Sequence, residues 1–227
     1  MIPPYSQFFF NVRLDGTRPV HDGRVAKPGT FVEALDGIQA AKNAGFFVVV
    51  TSVVYPDTDP RDLESLYEQL HSLHVDGYFL SPFYPREKLC RDGSSRFREM
   101  MHQRFREVSE RVNSYNLMIS PIYLEYLRGE RELHCSAWAS PVYGPRGWSE
   151  PCSKQSVGYA ATYKDLLEKV AWENYGRGLN LSCENCQCHD GYETAALMGM
   201  NAKAGDFWKM LAWPFGGDLG EKRNEER

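Results

Sequence analysis

The stretch Phe46-Phe-Val-Val-Val-Thr-Ser-Val-Val54 decides how the chain is read. It is β-branched and apolar at both odd and even positions. A strand with one wet face alternates, whereas a strand of a parallel sheet is covered on both sides and reads this way. On its N-terminal side, Thr30-Phe-Val-Glu33 reads as a capping box, the threonine accepting from first-turn amides and the glutamate reaching back. Phe31, Leu35, Ile38 and Ala41 then make one apolar helical face up to Asn43-Ala-Gly45. Gly45 fits the left-handed residue that closes such a helix. Earlier still, residues 6–15 read as a strand ending at Asp15-Gly16, followed by a loop holding His21-Asp22-Gly23 and Pro28-Gly29. On the C-terminal side, Asp59-Pro60 starts a helix with proline at its first position. Its buried stripe is Leu63, Leu66, Tyr67, Leu70 and Leu73, and Gly77–Pro82 is a third strand. Residues 6–82 therefore read β-α-β-α-β, with crossovers of the length a parallel sheet needs.

A longer helix is predicted over 94–113, with Phe97, Met101, Phe105, Val108 and Val112 inward and its arginines and glutamates as a solvated face. Leu117-Met-Ile-Ser-Pro121 reads as a short fourth strand, and Ile122 to Leu127 begins another helix. The character then changes. Residues 129–158 are rich in Gly, Pro, Ser and Trp and lose their periodicity, so something other than a secondary-structure ladder is expected to pin them. A short helix follows from Thr162 to Trp172, then a helical stretch to Trp213. Its Met198, Met200, Trp208, Met210 and Trp213 sit at helical spacing and read as core, contact with an apolar substrate or a membrane surface being the alternative. The domain reading is 1–127, a Cys-rich 128–215, and a charged tail over 216–227 expected to be disordered.

With 227 residues the chain can bury a sizeable core. A net charge of −4 with no basic face argues against nucleic acid as a partner. Phe46 to Val50 is far too short an apolar run to span a bilayer, and the N-terminus lacks a signal-peptide pattern, so the expected location is cytoplasmic or peripheral to a membrane. The cysteines are then expected to be reduced, which favours metal over disulfide.

Chemistry concentrates in Cys183-Glu-Asn-Cys186-Gln-Cys188-His189-Asp190-Gly191-Tyr192. A C-x2-C pair in a loop turns two thiolates toward one ion. Cys183 and Cys186 supply that pair, Cys135 and Cys152 complete a four-ligand set, and Cys188 or His189 is a fifth candidate. Four thiolates suit structural zinc or an iron–sulfur cluster, and spacing does not choose between them. Buried thiols and disulfides are the competing readings, and Cys90 lies apart. Asp15, at the carboxyl end of its strand, and Thr51 and Ser81 near the same end of theirs, could offer hydrogen bonds to a polar ligand such as a ribose; the bland alternative for Asp15 is a turn cap. His21 and His134 read as hydrogen-bonded structural residues. No nucleotide-binding glycine loop, serine-hydrolase elbow or zinc-protease motif is present.

Leu14-Asp15-Gly16-Thr-Arg18-Pro-Val-His21-Asp22 resembles a segment that follows the fourth barrel strand of radical S-adenosylmethionine enzymes. More narrowly, His134-Cys135-Ser-Ala-Trp138, Gly147-Trp148-Ser-Glu-Pro151-Cys152, Gly158-Tyr159-Ala160, Trp172-Glu-Asn-Tyr175-Gly176 and the Cys183–Glu193 segment are similar to the adenosylhopene synthase family of hopanoid biosynthesis. Val75-Asp76-Gly77 and Leu80-Ser81-Pro82 add to the likeness. The resemblance implies a partial parallel β/α barrel lacking its first strands, followed by an irregular Cys-rich extension. It implies reductive cleavage of S-adenosylmethionine at a [4Fe–4S] cluster, with the deoxyadenosyl radical adding to the alkene of the hopanoid lipid diploptene. The sequence departs from the family at three points. The family's C-x3-C-x2-C loop has no counterpart, so the chain is expected to be inactive alone and to need a separate N-terminal half as partner, with S-adenosylmethionine bound only then. Asp190 stands where a cysteine is expected, with Cys188 two positions earlier. Thr51 stands where an asparagine is usual.

Overall fold

The computed structural model describes residues 4, 8–84, 95–155, 157–199 and 202–213. Cys90, Met200 and the 216–227 tail lie outside the described residues, as do positions 6, 7 and 94 at the expected element ends. The chain is mixed α/β and divides into two compact units, one of Met1–Phe83 with Met101–Ile119, the other of Tyr84–Met100 with Ser120–Arg227.

The first unit is built on strands β1 (Phe9–Arg13), β2 (Phe47–Val54) and β3 (Gly77–Pro82). They pair in parallel in the order β1-β2-β3, with Arg13 opposite Thr51 and Ser81 opposite Val53. Among the described residues the sheet has three strands and does not close into a barrel. Leu117 adds one parallel bridge beside Tyr78 where the sequence suggests a fourth strand. Between the strands run α1 (Arg18–Val25), α2 (Thr30–Asn43) and α3 (Pro60–Ser72).

Helix α1 occupies what the sequence suggests is a loop. Proline in its first turn and Thr17 in an extended cap conformation start it despite a polar composition. Helix α2 is not held by the expected capping box. Its cap is Gly29, at φ 91°, and the carboxylate of Asp22 does the capping from α1. Asp22 accepts from the amides of Gly29 and Phe31, both at 2.8 Å, and from the Thr30 hydroxyl at 2.9 Å. Glu33 turns instead to Lys27 at 3.3 Å. The far end of α2 closes as the sequence suggests, with Gly45 at φ 82° and its amide on the Lys42 carbonyl. Asp59 caps α3 through the Arg61 amide.

Side chains alternate along a strand, so parity sorts the sheet into two faces. Val48, Val50, Ser52 and Val54, with Tyr78 and Leu80, lie on one face and are buried; Tyr67 of α3 stacks on Tyr78 there at 4.4 Å. The opposite face carries Phe9, Asn11, Arg13, Phe47, Val49, Thr51, Val53, Phe79 and Ser81; Val49 is buried, Phe9, Asn11, Arg13 and Phe47 are exposed, and the rest are half-buried. Strand β1 is the edge; its Phe9 and Phe10, and Phe8 just before it, are exposed by 53%, 39% and 40%.

Helix α4 (Ser95–Val112) buries Phe97, Met101, Phe105, Val108 and Val112 as its pattern requires. Arg98 departs from the expected solvated face: it is buried, lies over the Tyr126 ring at 5.0 Å and pairs with Glu132 at 3.3 Å.

The second unit also holds α5 (Pro121–Leu127), α6 (Tyr163–Lys169), α7 (His189–Leu197) and α8 (Asp206–Ala212). The 129–158 stretch contains a ladder after all. Strands β4 (Tyr143–Gly144), β5 (Gly147–Glu150) and β6 (Gly158–Ala160) form a small antiparallel sheet. Buried tyrosines 123, 126 and 192 stack in series, at 6.1 Å and 4.4 Å. The aromatic residues of α8 are not core: Phe207 and Trp208 are 70% and 66% exposed, while Met210 and Trp213 are half-buried. Among the described residues no helix is long and apolar enough to cross a membrane.

Candidate functional site

Two groups of sequence-flagged residues fall in the two units. In the first, Asp15 leaves β1 with its side chain fully buried. It receives Nε and Nη2 of Arg13, the latter at 2.6 Å, and the Val53 amide at 3.0 Å. Its carboxylate thus ties the end of β1 to β2 rather than capping a turn. Arg13 reaches on to the Tyr55 hydroxyl at 2.7 Å. The backbone amide of Asp15 donates to Nδ1 of His21 at 3.3 Å. That bond needs a neutral ring, and burial pushes the His21 pKa down. Thr51 donates to Asn11 across the strands at 2.7 Å. Thr51 and Ser81 share the half-open face, Ser81 near the carboxyl end of β3. A cavity of about 380 Å³ opens beside Asp15, lined also by Arg24, Asp57, Asp59 and Asp62. Its carboxylates are engaged: Asp57 by Arg24 at 2.5 Å, Asp59 by the Arg61 amide, Asp62 by the Thr17 amide at 3.0 Å. Arg13 is the partner that the sequence reading overlooked; its i, i+2 spacing to an acid at a strand end is the signal.

In the second unit, loops and helix starts carry the cysteines. Cys135 precedes the 3-10 turn Ala137–Ala139, Cys152 follows β5, Cys183 ends the 3-10 turn Leu181–Cys183, and Cys188 stands at the N-cap position of α7. The Cys186 amide closes onto the Cys183 carbonyl at 3.0 Å, giving the tight C-x2-C turn. Ordinary hydrogen bonds draw these segments together. Ser136 donates its amide and its hydroxyl to the Gly191 carbonyl, both at 3.0 Å. Ser153, beside Cys152, donates to Asp190 at 2.7 Å. Gln155 donates to the Ser182 carbonyl at 2.9 Å. Tyr123 donates to the Gln187 carbonyl at 2.5 Å.

The five described cysteines are thiols, Cys188 buried and the others half-buried. Several face backbone amides. The Ala137 amide near Cys135, those of Lys154 and Gln155 near Cys152, and that of Cys188 near Cys186 oppose the rise in pKa of these thiols. The side-chain amide of Gln155 lies 3.9 Å from the Cys183 sulfur. Burial, reinforced by Cys186, Cys152 and Cys183 nearby, pushes the Cys135 thiol up to about 12. The Cys186 thiol is held well above its ordinary value, first by its hydrogen bond with Cys188 and then by burial. Among the described residues no three His, Cys, Asp or Glu side chains stand close enough to hold one ion as they are placed. His189 turns onto Asp190 at 2.8 Å. That bond, against the opposing effect of burial and with help from Ser153 and Lys154, holds the Asp190 carboxyl far below the usual range. His134 is exposed. Coordination of one ion by these sulfurs would require the thiols to lose their protons and turn inward.

A family model described as a domain of unknown function, DUF3463, matches residues 79–210, the part that holds all five of these cysteines. The chain belongs to the DUF3463 family. No curated protein matches it.

Proposed function

We propose that this DUF3463 chain is the C-terminal part of a radical S-adenosylmethionine enzyme that adds a deoxyadenosyl group to a hopene, and that Cys135, Cys152, Cys183 and Cys186 hold an iron–sulfur cluster or zinc. The observation that carries the metal reading is the gathering of the cysteine loops: Ser136 on Gly191, Ser153 on Asp190 and Gln155 on Ser182 draw the Cys135 and Cys152 loops to the Cys183–Cys186 turn. Cys188 and Asp190 stand beside the set, Asp190 fixing the Cys152 loop through Ser153. The sequence segments that resemble adenosylhopene synthases carry the enzyme reading. On it, the parallel sheet is part of a β/α barrel, and the face bearing Asn11, Arg13, Thr51 and Ser81 lines its interior. Thr51 and Ser81 would offer hydroxyls to S-adenosylmethionine, while Asp15 positions Arg13 and the end of β1. The exposed edge of β1 would receive the preceding barrel strand. The C-x3-C-x2-C segment that supplies the reductive cleavage is not among these residues, so it must be provided in the same or a separate polypeptide. Exposed Phe207, Trp208 and Leu211 suit a protein that meets a hopanoid at a membrane surface.

The test is analysis of anaerobically prepared full chain for iron, labile sulfide and zinc, followed by co-expression with an N-terminal half that bears C-x3-C-x2-C. Iron with sulfide, and adenosylhopane from the pair, are the expected results. Stoichiometric zinc without sulfide would replace the enzyme reading with that of a non-catalytic structural or interaction protein, and absence of any metal would end the metal reading.

A further inference from the structure

Helix α8 has an inner and an outer side of opposite character. On the inner side Asp206 is buried, meets Arg131 at 2.9 Å and accepts the Lys203 amide at 2.6 Å. Lys209 pairs with Glu125 of α5. These bonds fix the helix before it meets anything else. Phe207, Trp208 and Leu211, at i, i+1 and i+4, share the outer side and are exposed, the two rings meeting edge to face at 5.2 Å. Leu197 and Met198, at the end of α7, are exposed as well. Large apolar side chains grouped at a surface in this way mark an interaction site.

The nearby charge decides what covers them. Asp206 is the only acid between Leu197 and Trp213, and it is spent inward on Arg131. The exposed charges of this segment are Lys203 and Lys209, both positive, in a chain whose net charge is −4. With Arg131 and Glu125 included, three cations stand against two anions. Trp, Phe and Leu edged by lysine are the composition of a segment that lies in a lipid interface. Size points the same way. The five apolar side chains together expose on the order of 600 Å². Each partner in a stable protein pair gives up about 800 Å². A bilayer requires no such minimum, because it solvates whatever apolar group reaches it.

We infer that the outer side of α8 docks the protein on an anionic lipid surface. Phe207, Trp208 and Leu211 enter the boundary between headgroups and acyl chains, and Lys203 lies against the lipid phosphates. The inference deepens the membrane contact of the proposed function and rests on that contact, but it needs neither metal nor radical chemistry. Vesicle binding and adenosylhopane formation can therefore fail separately.

The experiment sediments the full chain with vesicles of phosphatidylcholine alone and of phosphatidylcholine with phosphatidylglycerol, with no hopanoid, metal or second polypeptide added. The parent should bind the anionic vesicles more tightly, and added salt should weaken that binding. Phe207→Ser with Trp208→Ser should weaken it by about ten-fold or more, with the melting temperature unchanged. Lys203→Glu should weaken binding to the anionic vesicles and leave the neutral ones unaffected, and it serves if the double variant does not fold. Brominated lipid should quench the parent's tryptophan fluorescence, and Trp208→Phe should bind yet lose most of that quenching. A parent that binds neither vesicle, or both equally, would overturn the inference. So would parental binding by the folded double variant. A parent dimer that the double variant disperses would assign the face to a second copy and overturn it too.

Discussion

Gly191 lies directly against Cys135: a Cβ at position 191 would stand 2.3 Å from the Cys135 sulfur. Gly191 is in α7, where alanine is the better helix former by about 1 kcal/mol. The close approach reverses that preference. The Cys135 loop cannot retreat easily, because Ser136 is bonded to the carbonyl of Gly191 itself. Gly191→Ala should therefore destabilise the protein by roughly 1–3 kcal/mol through overpacking. Chemical denaturation reads the loss, and Cys135→Ala in the same chain should restore most of it. Stabilisation by the single substitution would show that the sulfur simply turns away.

The parallel sheet was legible because its signal is local. Phe47–Val54 is apolar at both parities, and Asp59-Pro60 states a helix start in two letters. Helix α1 was not, since Gly23 and a largely polar sequence leave Pro19 as its only mark. The small sheet over 143–160 escaped because strands of two to four residues are too short to display alternation. Of the thiol region, the C-x2-C turn could be read directly. That Cys135 and Cys152 join it depends on Ser136 with Gly191 and Ser153 with Asp190, pairs separated by 55 and 37 residues, which no local pattern records. The aromatic residues of α8 follow helical spacing yet face solvent, since periodicity finds a stripe without saying whether anything covers it.

The capping of α2 gives a direct contrast between what the sequence suggests and what the fold uses. Asp22 accepts from two backbone amides and the Thr30 hydroxyl, and those bonds, led by the Gly29 and Phe31 amides, hold its carboxyl below its ordinary value. Asp22→Ala should lower helicity and thermal stability more than Glu33→Gln, which loses only an exposed contact with Lys27. Circular dichroism melts of the two variants compare them. A larger loss at Glu33 would restore the capping box.

His21 makes the first unit sensitive to mild acid. Its ring is buried and accepts the Asp15 amide, so the folded form holds it neutral and its pKa is lowered. The unfolded chain takes up a proton near its ordinary value of about 6.5. Stability is therefore full above that pH and falls as pH drops from there through the folded pKa, below which the loss is complete. His21→Gln removes the titration. Urea midpoints from pH 8 to pH 5 should fall more steeply for the parent than for the variant, and parallel curves would exclude a buried neutral role for His21.

Arg131 and Asp206 carry the opposite pH signature. Their side chains are 1% and 6% exposed and meet at 2.9 and 3.0 Å, which fastens α8 to the chain just after α5. Glu125 lies 3.1 Å from the same guanidinium, so the cation is shared between two acids. Burial alone would raise the Asp206 carboxyl, but the Lys203 amide and Arg131 outweigh it and lower its pKa. Its contribution is present above about pH 4 and is lost as pH falls through the folded value. Asp206→Asn should cost about 3 kcal/mol at neutral pH, because it leaves the guanidinium buried with one anion instead of two. The same variant should flatten the acid limb of the stability profile. Hydrogen exchange localises the effect: amides of α8 should lose protection in the variant while those of β2 keep theirs, and uniform loss would mean that the pair holds more than this helix.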